Sequence, residues 1–403
     1  METLRIASTA LRAHKLRSFL TLLGVIIGVM TVVTVVSIIS GLNNYISEKV
    51  FALNPDVYAV TQFGIITSRE QWLEAIKRKK IDWQDYESVR ERCGLCALTG
   101  ASHDTNSSVK RGAQKLNRVR TSGVTTSMSE LNSLDLEAGR FFTPTEEERS
   151  ALVVVIGSDV REELFGTLDP VGRVVRVANQ PMRVIGLLRK QGSVLGANQD
   201  KVIYIPITSF RKSFGSKNTL DIWVKAKNGV PGVDASMDEV RVILRGRRHT
   251  AFRAEDPFAT VTAEALQMLW KSISAGLFSL MILISGISLI VGGIVIMNIM
   301  LVSVVERTRE IGVRRAMGAT RRNILRQFLM EAILLSLGGG ILGVLLGVSI
   351  AKIISVASPM PTLVRPGLVV SGLLISVIIG IAAGVVPAWR ASKLPPVEAL
   401  RFE

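Results

Sequence analysis

Four stretches of this sequence contain no Asp, Glu, Lys, Arg or His: Ser18–Ser47 (30 residues), Ser272–Val305 (34), Ala332–Ala351 (20) and Pro366–Trp389 (24). A helix needs about 20 apolar residues to cross a hydrocarbon core of about 30 Å. Each stretch qualifies, and four transmembrane helices are expected at 19–41, 273–305, 328–352 and 367–389. The first stretch exceeds the roughly 7–15 apolar residues of a cleavable signal peptide and is read as a retained anchor. The second is longer than a bilayer requires. Its outer end, "LWKSISAGLFSL", is expected to continue as a stalk, with "GLNNYISEKV" after the first stretch as its partner.

The remaining sequence is charged, to a formal net of +16, and the basic residues flank the apolar stretches. Arg5, Arg12, Lys15 and Arg17 precede the first, and Arg390, Lys393 and Arg401 follow the last. Arg307, Arg309, Arg314, Arg315, Arg321, Arg322 and Arg326 stand between the second and third. Cytoplasmic flanks carry the Lys/Arg excess. Both termini and segment 306–327 are therefore expected in the cytoplasm, with 42–272 and the short loop 353–366 outside. Residues 1–18 carry Leu4, Ala7 and Leu11 at helical spacing and fit a helix lying in the headgroup layer; 390–403 form the cytoplasmic C-terminus. Because the charge tracks the membrane flanks and forms no aromatic-laced groove, nucleic acid is not an expected partner. No ionisable residue stands within the four cores, which counts against an ion-coupled path.

The outer region alternates strand-like and helix-like runs. "PDVYAVTQF", "LVVVIG", "RVVRVAN", "MRVIGLLRK", "KVIYIPI" and "LDIWVKA" read as strands. "DWQDYESVRERC", opened by an Asp cap, and "DASMDEVRVILRGRR" read as helices; "FFTPTEEERSA" opens a helix or turn at Thr143 or Thr145. About 230 residues suffice for two subdomains. Cys93 and Cys96 form CGLC, for which a local disulfide is the default outside the membrane. Paired thiols, or half a zinc or redox site, are the alternatives; zinc wants about four ligands, and only His103 is near in sequence. No metal site is expected. Lys77–Lys80 is the strongest outer charge run, read as a solvated face or as a contact for headgroups or an acidic partner.

Catalytic signatures are missing. A phosphate-binding P-loop requires Gly-Lys followed by Ser or Thr, and Gly-Lys does not occur in the chain. There is no GxSxG or HExxH, and His14, His103 and His249 are scattered. No catalytic residue is expected, and no directly bound cofactor.

Small residues punctuate the apolar stretches. Gly24 and Gly28, then Gly339, Gly343 and Gly347, then Gly380 and Gly384 repeat at four-residue intervals, a pattern that permits close helix packing. Between the second and third stretches, "ERTREIGVRRAMGATRRNILRQFLMEA" combines seven arginines with apolar Ile311, Val313, Ala316 and Met317. Gly312 and Gly318 are expected to interrupt it, Glu310 and Arg314 to pair one turn apart, and Thr320 to cap the returning helix. Headgroup binding accounts for the arginines; the apolar residues among them point to a protein partner.

"IVGGIVIMNIMLVSVVERTREIGVRRAMGA" resembles the membrane core of MacB-type ABC permeases, within the wider FtsX-like group. "LRAHKLRSFLTLLGVIIGVMTVVTVVSI" and "VPAWRASKLPPVEALRFE" are similar to that family's first membrane helix and its ending. "LEAGRFF", "VVVIGSDVREELFGTLDPVGRVVRV" and "MRVIGLLRK" resemble its periplasmic core domain. The resemblance implies an α-helical membrane protein with four transmembrane helices and a large extracytoplasmic mixed α/β domain. That domain would be a porter-like subdomain with a β-rich subdomain inserted at about 123–215. It also implies a bacterial inner-membrane permease subunit working by mechanotransmission in export or efflux of a drug, peptide or lipid-like substrate. Expected partners are a separate ABC ATP-binding subunit carrying ATP and Mg, a second permease chain in a homo- or heterodimer, a periplasmic adaptor protein and membrane lipids. Arg309, Glu310, Ile311, Gly312, Arg314, Arg315, Met317 and Gly318 would form the coupling element docked on the ATPase. Signal transduction to a periplasmic partner and lipoprotein release are the alternatives within the fold.

Overall fold

The computed structural model describes residues 15–45, 54–194, 197–215, 219–357, 362–396 and 399. The expected N-terminal amphipathic helix falls largely outside these residues, as do the second half of "GLNNYISEKV" and residues 400–403. The chain divides into a membrane unit, residues 1–45 with 272–403, and an extracytoplasmic unit, residues 46–271.

In chain order, helix α1 (Lys15–Tyr45) precedes the extracytoplasmic elements: β1 (Val57–Thr61), α2 (Arg69–Lys77), α3 (Trp83–Arg92), β2 (Cys96–Arg111) and β3 (Gln114–Val124). Next come α4 (Met128–Leu131), β4 (Leu136–Gly139), α5 (Pro144–Glu148), β5 (Val153–Ile156), α6 (Ser158–Phe165), β6 (Val174–Val177) and β7 (Gln180–Leu188). A small ribbon, β8 (Ser193–Val194) and β9 (Ala197–Asn198), leads to β10 (Val202–Pro206), α7 (Ile207–Phe214), β11 (Asp221–Ala226), α8 (Val233–Arg247) and β12 (Ala259–Thr262). The chain then forms α9 (Ala263–Glu306), α10 (Thr308–Ala316), α11 (Arg321–Ala357) and α12 (Pro366–Lys393).

One ten-stranded sheet runs through the extracytoplasmic unit in the order β12-β1-β11-β2-β3-β10-β5-β7-β4, with β6 added to β2 and β7. Two regions of it carry different cores. Around β1 and β11, Tyr58, Val60, Ile222 and Val224 pack with Val89 of α3 and Val240 and Leu244 of α8. Around β5, β7 and β10, Val154, Val184 and Ile203 pack with Leu164 of α6 and Phe210 of α7. The first core is built from two separated chain segments, with the second between them. Val109 on β2 and Val119 on β3 also pack into this second core. The reason is that β2, 16 residues long, pairs with β11 through Cys96–Ser102 and with β6 at Val109 and Lys110, so one strand serves both cores.

Local signals explain the helix starts. Asp82 caps α3 by accepting from the Asp85 N–H while the Asp85 carboxylate accepts from the Asp82 N–H, and Thr143 and Glu146 make the same reciprocal box on α5. Asp85 does more. It is fully buried, and Arg248, 3% exposed at the side chain, donates to it at 2.6 Å, with Arg247 donating as well. Burial disfavours its charge, but the Arg248 and Arg247 guanidiniums hold its carboxyl below the usual carboxylate range.

In the membrane unit the helices touch at glycine. A Cβ on Gly24 would stand 2.6 Å from Gly292 Cα, and one on Gly28 2.6 Å from a Leu289 methyl, which sets α1 against α9. Gly339, Gly343 and Gly347 of α11 approach α1 at Val25, the Ile26 carbonyl and the Met30 carbonyl. Between the antiparallel α11 and α12 the contacts form a ladder: Val344 with Gly372, Gly340 with Ser376, Ser336 with Gly380, Ala332 with Gly384. Every rung has one glycine, so the backbones close up and gain dispersion contact that bulkier pairs would forbid.

Candidate coupling site and family relationships

The basic segment is built from two breaks and the short helix between them. α9 stops at Glu306, because Arg307 leaves helical geometry at φ −105° and ψ 16°. Thr308 bridges the break, its hydroxyl donating to the Val304 and Val305 carbonyls at 3.0 and 2.8 Å. α10 ends before Gly318, whose φ of +100° lies in the left-handed region that favours glycine. Thr320 then caps α11 by accepting from the Asn323 N–H at 3.3 Å.

α10 has two faces. Thr308, Ile311, Gly312 and Arg315 recur at helical spacing and turn inward. Ile311 is 3% exposed and shares the membrane-unit core with Phe328 and Ala388. A Cβ on Gly312 would meet the Ala399 Cβ at 2.6 Å. Arg315 Nη1 donates to the Ser392 and Leu394 carbonyls at the end of α12, groups with no partner inside their own helix. Sequence reading assigned Ile311, Gly312 and Arg315 to a docking surface; the structure uses them to seat the helix on its own chain. It also corrects Gly312 as an interruption: α10 runs through it, and its role is close approach.

The other face is bare. Arg309, Val313, Ala316 and Met317 are exposed, Val313 by 40% and Met317 by 76%, and Gly318 continues the surface. Glu310 and Arg314 border it as an ion pair at 2.5 Å, and Arg314 also donates to Gln327 at 2.8 Å. Arg307 pairs with Glu331 at 3.2 Å, tying the end of α9 to α11. Gln327, Glu331 and Ala399 had no signal in the sequence, since their partners lie 13 to 87 positions away.

The outer candidates are structural in their contacts. Cys93 and Cys96 are joined as a disulfide with a Cα separation of 5.5 Å. Glu239 of α8 accepts from the Gly94 and Leu95 N–H groups at 3.0 and 2.8 Å, pinning the loop. His103 is 3% exposed and packs its ring 4.7 Å from that of Phe210; burial pushes its pKa down. Among the described residues no group of three His, Cys, Asp or Glu side chains could hold a metal ion.

Four helices long and apolar enough to span a membrane, a large α/β domain between the first two in sequence, and a short basic helix between the second and third are the features of a multi-pass permease. Residues 18–243 match the model of the MacB-like periplasmic core domain, and residues 282–396 match that of the FtsX-like permease C-terminal region. The chain belongs to the MacB/FtsX-like family of ABC transporter permeases. It is 36% identical over 402 residues to the macrolide export ATP-binding/permease protein MacB of Bdellovibrio bacteriovorus, covering 98% of this chain and 60% of that protein. The chain thus spans about 60% of the length of the MacB relatives it matches. It is 32% identical over 421 residues to the ABC transporter permease YknZ of Bacillus subtilis, covering 99% of that protein. The periplasmic region of MacB from Actinobacillus actinomycetemcomitans is similar to 56% of this chain, at 14% identity and a TM-score of 0.46.

Proposed function

We propose that the chain is the permease subunit of an ABC export system, driven by a separate ATP-binding subunit and acting without a wide channel of its own. The observation that carries this reading is the two-faced α10. Its inner face is fastened to α11 and α12 by Ile311 and Arg315 and to Ala399 by Gly312, while Arg309, Val313, Ala316 and Met317 stand exposed together. A helix so seated transmits a push instead of absorbing it. Met317 in a cleft of the ATPase, with Arg309 against acidic groups at its rim, gives the apolar anchor and charged border of a protein–protein contact. ATP and Mg reside on that partner.

Transmission follows from α9, a single helix of 44 residues, about 66 Å at 1.5 Å per residue against a core of about 30 Å. Displacement at Glu306 reaches Ala263, next to β12 of the outer domain. The work is mechanotransmission: motion started in the cytoplasm moves an extracytoplasmic domain that expels substrate. The curated MacB relatives are named for macrolide export, and an amphipathic drug, peptide or lipid-like molecule is the substrate class proposed here. The arginine-rich flanks favour a cytoplasmic side for both termini, and two such chains would assemble with two ATPases.

The test is co-purification with the cognate ATPase. Met317→Asp combined with Val313→Asp should lower recovery of the ATPase at least tenfold, with unchanged membrane insertion and an intact Cys93–Cys96 bond. Equal recovery of the ATPase with wild-type and variant would overturn the coupling role.

A further inference from the structure

The extracytoplasmic domain leaves one helix almost unpacked. α2 buries only Ala75, while Trp72, Leu73 and Ile76 are 49%, 45% and 46% exposed. Exposed apolar side chains scattered singly are ordinary, but three within five residues form a patch that calls for a partner. With Arg69 they recur at three- and four-residue spacing and share a face. Exposed Lys77 and Lys79 follow at its C-terminal end, whereas Glu70 and Glu74 lie about a third of a turn or more from the stripe's centre.

This surface is held in place from behind. Ser68 caps the helix by accepting from the Gln71 N–H at 3.2 Å. Gln62 donates to the Ala75 and Arg78 carbonyls at 3.4 and 3.0 Å, and Arg78 donates back to the Gln62 carbonyl at 3.2 Å. Arg248 donates to the Lys79 and Lys80 carbonyls at 3.2 and 3.0 Å. The backbone of the basic run is therefore held in place while the Lys77 and Lys79 side chains are exposed, and little backbone ordering remains to be done on binding.

Placement within the domain narrows the occupant. Tyr58 of β1 pairs with Thr262, after which the chain passes into α9; at the other end of β1, Thr61 pairs with Ala259 and leads to Gln62 and α2. The patch thus lies at the end of these strands opposite the one through which the chain leaves the domain. A stripe of Trp, Leu and Ile bordered by cations is complementary to an amphipathic helix with an apolar seam and acidic flanks.

We propose that α2 with Lys77 and Lys79 is a docking site for an acidic amphipathic helix of another extracytoplasmic protein. Trp72 and Ile76 seat in its apolar seam, and the two ammonium groups meet its carboxylates.

The full-length chain tests this in cells, with photo-activatable benzoylphenylalanine in place of Trp72 and, as control, in place of Val242, which is 70% exposed on α8. Crosslinked peptides are sequenced by mass spectrometry. The expected product joins position 72 to a segment richer in Asp and Glu than in Lys and Arg, and position 242 does not yield it. Lys77→Glu with Lys79→Glu should reduce that product at least tenfold, with unchanged expression and an intact disulfide. Crosslinking to lipid, to a second copy of this chain or to a segment that is not acidic would overturn the proposal. So would no crosslink, equal yield at position 242, or indifference to charge reversal.

Discussion

The two units of this chain hold together by different means. The membrane unit brings backbones into contact: seven predicted glycines each meet a neighbouring helix, and the rungs between α11 and α12 are made of Gly, Ser, Ala and Val. The extracytoplasmic unit instead interdigitates large side chains, among them Phe210, Met182 and Ile203, and adds a buried ion cluster around Asp85. Water explains the contrast. In lipid, burying Leu against Leu gains little, so helix association rests on proximity and dispersion; in water the same burial drives folding. Exposure therefore carries opposite messages. An exposed Ile287 lies on a helix apolar enough to span a membrane, where lipid can cover it, whereas an exposed Trp72 lies on a helix of the water-facing α/β domain, where lipid cannot.

The contrast can be broken at its strongest point. Gly380→Leu places a bulky side chain where even a Cβ would stand 2.1 Å from the Ser336 hydroxyl oxygen and 3.0 Å from the Ala332 carbonyl. Loss of detergent-stable protein is expected, with a cost above about 3 kcal/mol from overpacking. Retained thermal stability in a detergent melt would refute packing by backbone approach.

In the outer unit, Asp85→Asn leaves Arg248 buried without its carboxylate. A cost of about 3–5 kcal/mol is expected for breaking such a pair, read as a lower denaturation midpoint in the fluorescence of Trp83. A change below about 1 kcal/mol would show that the cluster contributes little.

A smaller effect is pH-dependent. Burial, with Asp104 adding repulsion, pushes Asp221 up from 3.8 to about 7. The folded state then prefers the protonated carboxyl while the unfolded state ionises near 3.8. This contribution is neutral below that pH and turns destabilising as pH rises towards 7. Asp221→Asn should flatten that decline and raise stability at neutral pH by on the order of 2 kcal/mol. Hydrogen exchange of β11 across pH 4–7 measures it, and an unchanged pH slope would exclude Asp221 as its source.

The membrane helices were legible because lipid imposes a length and an absence of charge that any sequence displays. Helix starts at Asp82, Thr143 and Thr320 were legible because caps are local. The division of α10 was not. Ile311 and Met317 are similar residues six positions apart, yet one is 3% exposed and the other 76%. What separates them is contact with residues 328, 388 and 399, which no local pattern announces. Strand β2 is a related case: it is continuous, and its sequence does not mark where it passes from one core to the other.

The ladder between α11 and α12 has a mechanical corollary. Sliding the pair by one turn would set Val344 over Ser376, with no glycine to receive either, and Gly340 over Gly380, leaving a gap. Each offset register is penalised twice, by collision at one rung and by void at the next. The two helices are thus toothed against one another and translate only as one body. α10, seated on this pair through Ile311 and Arg315, is carried with it as part of the same block.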